Sequence, residues 1–220
     1  MPSPQRKNSN GKIRPKFSTT SEPKKPIILP AGKLGNLIVR SISTKKDSIF
    51  WNELIERYHY LGYTPLAGSQ IRYFVFTESN DLLAALSFGA AAWSVAPRDS
   101  FIGWIHQQRK ANLHLVINNA RFLILPWVSS KNLASRILST VTKQLPHDWQ
   151  ALYNYTPVLM ETFVQKDRFK GTCYRAANWT LVGETQGRGK LARNNKCPLP
   201  INYIYVYPIN KSFRKLLAVS

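Results

Sequence analysis

The spacing of apolar residues changes period several times along this chain, and that alternation constrains the fold most. Branched and apolar residues in Asn36–Ile42 (NLIVRSI) read as a first strand. Phe50, Trp51, Leu54, Ile55, Tyr58 and Leu61 then recur at helical spacing, behind a capping-box-like Thr44-Lys-Lys-Asp47, with Gly62 as the stop. Gln70–Thr77 and Leu82–Ala90 flank a Ser79-Asn80-Asp81 turn and read as a hairpin, with Gly89 inviting a bulge. Residues 94–112 read as a loop with a short helix. Leu113–Asn118 and Arg121–Leu125 read as an interrupted strand, bulged at Asn118-Asn119 and ending at Pro126. Leu133, Ile137, Leu138, Val141 and Leu145 mark one face of a second long helix, with Ser129 or Ser130 as its N-cap. Strands are expected at Pro157–Val164, Trp179–Glu184 and Ile201–Tyr207, with a short helix at Thr172–Asn178 and a basic loop at 185–198. The order β-α-β-β-(loop)-β-α-β-α-β-β predicts a mixed α/β fold, with a largely antiparallel sheet flanked by helices. No repeat of 20–50 residues interrupts it.

Several classes fall away. The longest apolar stretch, Leu82 to Trp93, is 12 residues and includes Ser and Gly. A membrane span needs roughly 20. The N-terminus has no apolar signal core, so a cytoplasmic location is expected. Two cysteines, Cys173 and Cys197, make no disulfide framework and lack zinc-ligand spacing.

The charge is lopsided, with 31 Lys+Arg against 11 Asp+Glu over 220 residues, a formal +20. Residues 1–35 hold eight of the basic groups, one acid (Glu22) and six of the 14 prolines. They read as a disordered basic arm preceding a single domain over 36–220. A second cluster spans 166–196, where Arg168, Lys170, Arg175, Arg188, Lys190 and Arg193 are candidates for nucleic-acid contact. Gly187-Arg-Gly189 would let backbone approach a phosphate, although no nucleotide P-loop pattern occurs. A charge run is also what an ordinary solvated face looks like.

Four further residues or groups carry possible chemistry. His59 follows the first helix, and its side chain titrates near neutrality, which suits a general base or a hydrogen-bonded structural residue. Glu161 lies inside the apolar run PVLMETFV, so it must be paired or border a cavity. A salt bridge to Arg72 or Arg121 would satisfy it. Asp99, Asp148 and Glu161 could hold two divalent metals for phosphodiester chemistry. Equally, Asp99 could pair with Arg98, Arg109 or Arg121. Cys173 has no base at readable spacing and reads as structural.

The order of elements resembles the acetyltransferase fold of the GNAT superfamily. The stretch Arg121-Phe-Leu-Ile-Leu-Pro-Trp-Val-Ser-Ser-Lys-Asn-Leu-Ala-Ser135 matches the place where that superfamily's loop and helix amides hold the coenzyme A pyrophosphate. The resemblance makes Val128, Ser129, Ser130, Asn132 and Ser135 the positions for a coenzyme A derivative. The stretch carries no glycine, where the superfamily pattern is glycine-rich. Gly171-Thr-Cys-Tyr-Arg-Ala-Ala-Asn-Trp179 parallels the region where many such enzymes place a tyrosine in a short helix. That makes Tyr174 the candidate general acid, beside the plainer reading of a packed aromatic.

A second resemblance covers residues 36–220. It rests on His59-Tyr-Leu-Gly62, Arg98-Asp99 with Ile102-Gly-Trp104, Asn119-Ala-Arg-Phe-Leu-Ile-Leu-Pro126, Asn132-Leu-Ala-Ser135, Asp148-Trp149, Glu161-Thr-Phe163, Gly171-Thr-Cys-Tyr174, Ala176-Ala-Asn-Trp179 and Gly183-x-Thr-x-Gly-Arg-Gly189. These strings resemble the domain family that includes DruA of the Druantia anti-phage system, with relatives near or fused to bacterial transposases. Gln165 stands where that family often has Asp. The resemblance implies anti-phage defence or mobile-element biology, with defence-system or transposon proteins as partners. Three functions follow as expectations. The first is a nucleic-acid-binding component, using the arm and the 166–196 region. The second is an acyl-CoA-dependent or related group transferase built on His59, Glu161 and Tyr174. The third is a metal-dependent nuclease or transposase.

Overall fold

A computed structural model describes residues 15–187 and 199–219. Seven strands form one sheet: β1 (Ile38–Ser41), β2 (Gln70–Phe76), β3 (Leu82–Ala90), β4 (Val116–Ile124), β5 (Leu159–Gln165), β6 (Thr180–Glu184) and β7 (Asn202–Pro208), in the order β1-β2-β3-β4-β5-β7-β6. Every neighbouring pair is antiparallel except β4 and β5, which run parallel. This is the mixed, largely antiparallel α/β sheet that the sequence predicts.

Two long helices cover opposite faces. Tyr73 on β2 donates its hydroxyl to Asp148 of α4 (Leu133–Tyr153) at 2.7 Å. Its neighbour Phe74 packs on Phe50 of α1 (Lys45–Tyr58), with ring centroids 5.5 Å apart. Adjacent side chains on a strand point to opposite faces, so α1 and α4 sandwich the sheet. The larger core joins Trp51, Leu54 and Ile55 of α1, Leu138, Val141 and Trp149 of α4, and the wholly buried centre of β3. A smaller core lies under α2 (Ala96–Ile102), α3 (His106–Asn112) and α6 (Phe213–Leu217), around Leu159, Val206 and Phe213. The fifth helix, α5 (Thr172–Ala176), follows β5.

Several local expectations hold, and several need correction. Thr44 caps α1, accepting from the Asp47 N–H at 3.1 Å. That helix ends at Tyr58, ahead of Gly62, which adopts φ +61° in the following turn. Asn132, rather than Ser129 or Ser130, is the N-cap of α4, with φ +66°. The helix also runs on through Pro146 to Tyr153, because a proline there removes only one N–H bond from a helix held by its buried face. Gly89 is paired in register with both neighbouring strands; the hairpin's own bulge falls at Leu83, and β4 carries another. The single helix expected in 94–112 is two, α2 and α3.

The described part of the N-terminal segment differs from a free arm. From Pro15 onward it runs along the folded domain. The Ser18 hydroxyl donates to Glu53 at 2.7 Å, and the Tyr58 hydroxyl donates to the Ser21 carbonyl at 2.8 Å. Ile27 bridges Val128, while Ala31 and Leu34 are buried in the larger core. Its apolar residues, Ile27, Ala31 and Leu34, bury enough surface to order a segment whose overall composition is polar.

Candidate functional site

The parallel pair β4–β5 opens partway along. Its ladder runs from Val116↔Leu159 to Asn119↔Thr162 and stops, although both strands continue. On the other side of β4, Ser87 faces Arg121 and Phe88 faces Asn119, so Ala120 is an inserted residue. A bulge bends its strand, and here it accompanies the separation of β4 from β5. β5 stays with β7 as far as Gln165. The gap is a cavity of about 700 Å³, in the size range of ligand pockets. Ala120, Phe122, Leu123 and Ile124 of β4, the turn after α1 and the β5–α5 connection border it.

Its inner end holds a closed hydrogen-bond set. The Tyr174 hydroxyl donates to Asn119 Oδ1 at 2.8 Å. Asn119 Nδ2 donates to the Ser87 and Arg121 carbonyls at 3.0 and 3.1 Å, and the Thr162 hydroxyl donates to the Asn119 carbonyl at 3.1 Å. The Tyr174 ring stacks on Tyr205 at 5.7 Å and meets Trp179 edge-on at 5.2 Å. Burial pushes its phenol pKa well up, so it stays protonated at neutral pH. Gly171 makes this placement possible. Its φ is +65°, and a Cβ there would meet the Tyr205 ring at 2.5 Å.

The mouth is aromatic and basic. His59 stacks on Tyr60 at 4.8 Å, Tyr60 meets Phe169 at 5.3 Å, and the Arg168 guanidinium lies 4.9 Å from the centre of the Tyr60 ring. Burial, helped by the Arg121 charge, lowers the His59 pKa to about 4, so the ring is neutral at pH 7. His59 Nδ1 accepts the Leu61 N–H at 3.3 Å, which leaves the ring proton on Nε2. In that tautomer His59 offers a hydrogen-bond donor rather than a base. Burial also raises the Cys173 thiol, keeping it protonated. Arg168 and Lys170 border the cavity, and among the described residues no Asp or Glu does.

Glu161 lies elsewhere. On β5 its side chain points to the face opposite Thr162, where it accepts from Arg98 at 2.7 Å and from the Ala92 N–H at 2.9 Å. Both side chains are fully buried. Burial pushes the Glu161 carboxyl up, against the pull of Arg98 and the amide. Arg98 also holds Asp99 at 2.7 Å, and Asp99 accepts from Arg109 and Trp104 at 2.9 and 3.0 Å. Glu161 is therefore the anchor of the β3–α2 connection, with Arg98 as partner instead of Arg72 or Arg121. Asp148 is bonded to Tyr73 and Gln144 in the larger core. Among the described residues no three His, Cys, Asp or Glu side chains gather as a metal site. The expected Asp99–Asp148–Glu161 set is not brought together.

The connection after β4 is occupied by the chain itself. The Val128 N–H donates to Leu125 at 2.9 Å, and the Ser129 N–H donates to the Ile27 carbonyl at 2.9 Å. The Ser130 hydroxyl is buried without a partner. The Ser135 hydroxyl donates to the Asn132 carbonyl at 3.0 Å, and Arg136 reaches the Ala31 and Gly35 carbonyls. Residues 27–35 thus lie along the positions the resemblance assigns to a coenzyme A pyrophosphate. With two central amides used and no glycine to bring backbone close, this stretch does not fit that group.

Of the six basic candidates, Arg168 and Lys170 border the cavity, and Arg175 is exposed nearby, reaching the Lys170 carbonyl at 3.4 Å. Arg188, Lys190 and Arg193 lie outside the described residues. Sequence reasoning missed Tyr60, Asn119, Thr162 and Phe169. For Asn119 the signal was present as an expected bulge, but not its link to Tyr174.

Solved structures of similar fold are spermidine N-acetyltransferases from Vibrio cholerae. An R149-K152 chimera with the human enzyme is 12% identical, with a TM-score of 0.53 over 80% of this chain and 98% of that one. The form in complex with CoA and spermine is 11% identical, with a TM-score of 0.51 over the same shares. A form in complex with manganese ions is 10% identical, with a TM-score of 0.50 over 81% and 96%. At such identities the likeness establishes a GNAT-like fold. No match is found among curated proteins. Residues 2–208, nearly the whole chain, match the family described as Druantia protein DruA, and the chain belongs to that family.

Proposed function

We propose that this chain is a group transferase of the acyltransferase kind, working in the β4–β5 cleft as a component of anti-phage defence. The observation that carries the reading is the splay itself. β4 leaves its partner beyond Asn119↔Thr162, and its free edge runs beside a cavity with a protonated phenol at the inner end. An open strand edge can pair with an extended, amide-bearing ligand as an added strand. The arm of an acyl thioester has that character, and a fold neighbour was solved with CoA and spermine. The pyrophosphate position does not fit here, so the donor's hold must come from the cleft and not from the loop after β4. The absence of acids among the described residues at the cleft also disfavours a polyamine acceptor. As the acyl C–S bond breaks, Tyr174 gives its proton to the leaving sulfur and its phenolate takes back the proton that the acceptor loses on acylation, while Asn119 holds the Tyr174 oxygen and neutral His59 donates a hydrogen bond.

Turnover of acyl thioesters tests this. Thiol release is measured with S-acetylpantetheine and with acetyl-CoA, using the full chain and supplied acceptors, nucleic acid among them. The wild type is expected to release thiol above background, and Tyr174→Phe to lose roughly 100-fold, the lower bound for a positioned acid. Equal rates in the two proteins, or no release from either donor, overturn the reading.

A further inference from the structure

We propose that the mouth of the cleft seats one unpaired nucleotide of a nucleic-acid strand, with its base against Tyr60 and Phe169 and its phosphate near Arg168 and Lys170. The proposal deepens the transferase reading by naming the class of acceptor. The binding itself stands on separate observations.

The first is the mixture at the mouth. Tyr60 and Phe169 lie 5.3 Å apart, and Arg168 covers the Tyr60 ring at 4.9 Å. Phe169 is 46% exposed, so part of its ring is open to a ligand at the mouth. Aromatic faces interleaved with Arg and Lys are the usual platform for single-stranded nucleic acid, because every base has a π-face and every linkage a phosphate. The second is charge. Arg168 and Lys170 border the cavity with no described acid among its lining residues, although Asp167 lies nearby, where its charge acts on Tyr60. The whole chain carries +20. The third is shape. The cavity, of about 700 Å³, is bounded on one side by the 59–61 turn and on the other by 168–171, so a base that enters it must leave its stack. An enzyme acting on a base must take it out of the stack.

The turn is also built to stay in place. The Phe169 and Arg168 N–H groups both donate to the Gln165 carbonyl, at 2.9 and 3.2 Å. Lys166 pairs with Glu184 at 2.8 Å on the surface beside it. The Phe169 ring is therefore presented by an anchored turn.

The test uses the full chain and fluorescence anisotropy with three labelled probes: a single-stranded 12-mer of DNA, the same sequence as RNA, and its fully paired duplex. A single-stranded 12-mer carrying one 2-aminopurine reports stacking directly, by quenching. Unlabelled polyglutamate and mononucleotides serve as competitors. Either single strand is expected to bind more tightly than the duplex and to quench the 2-aminopurine. Phe169→Leu with Tyr60→Leu is expected to weaken binding about ten-fold or more and to abolish quenching. Arg168→Gln with Lys170→Gln should lower the slope of log K against log salt by about 0.7, one phosphate contact on a single strand. Phe169→Leu alone, at an exposed position, guards against a misfolded double variant. Binding and quenching unchanged in Phe169→Leu and in the double variant overturn the proposal. Tighter duplex binding does so too, as does competition by polyglutamate or mononucleotide equal to that of the strand. Binding is measured without acyl donor, so a failed transferase reading leaves this outcome intact.

Discussion

Glu161 and His59 show how far a single residue can be read before its neighbours are known. An acid inside PVLMETFV had to be paired or border a cavity, and that much follows from the cost of burying a charge. Which arginine would pair with it did not follow, because Arg72, Arg98 and Arg121 are all distant in sequence and only the approach of α2 to β5 selects Arg98. His59 was legible as a general base or a structural residue, but its protonation depends on burial and on Arg121, which no spacing reveals. This has a consequence for stability. The folded-state pKa lies near 4, below the usual 6.5, so the unfolded chain binds the proton more readily. The contribution of the neutral ring is complete above about 6.5 and is lost as the pH falls toward 4. Chemical denaturation across that window is expected to show stability falling by up to about 1.4 kcal/mol per pH unit from this group. His59→Gln should remove that component. An unchanged pH profile in the variant would assign the loss to other groups.

Among the elements, the long amphipathic helices and the apolar strands were legible because each has its own period. The N-terminal segment and the course of β4 were not. Residues 15–35 are polar on average, and three scattered apolar side chains, with Ser18 and Ser21, bind them to the domain, which composition cannot register. Leu34 is a direct check, since a free arm would tolerate its truncation. Leu34→Ala is expected to cost about 2 kcal/mol or more in urea unfolding, as for other buried leucines. A loss under about 0.5 kcal/mol, the usual range for surface substitutions, would mean that the segment is not part of the core. The bulge at Ala120 was expected one or two residues early, at Asn118-Asn119. Its effect on β5 could not be foreseen, because a register shift on one side of a strand shows in the sequence only as polar residues in an apolar run.

At the scale of the molecule, the order of elements specified a GNAT-like sheet, and the chain belongs to the family described as Druantia protein DruA. The same sheet separates two sets of functional-looking residues. Arg98, Asp99 and Glu161 form a closed ionic anchor on one face. Tyr174, Asn119, Thr162 and His59 surround or border the cleft. The sequence listed members of both sets together, because one residue's step along a strand is enough to change faces. The central claim is that ligand enters along the free edge of β4. Hydrogen exchange of the full chain, measured with and without S-acetylpantetheine, tests it most directly. Added protection is expected in 120–124, 59–61 and 168–174, and none in the 92–99 connection. Protection confined to the loop after β4, or no change in 120–124 at saturating ligand, would contradict it.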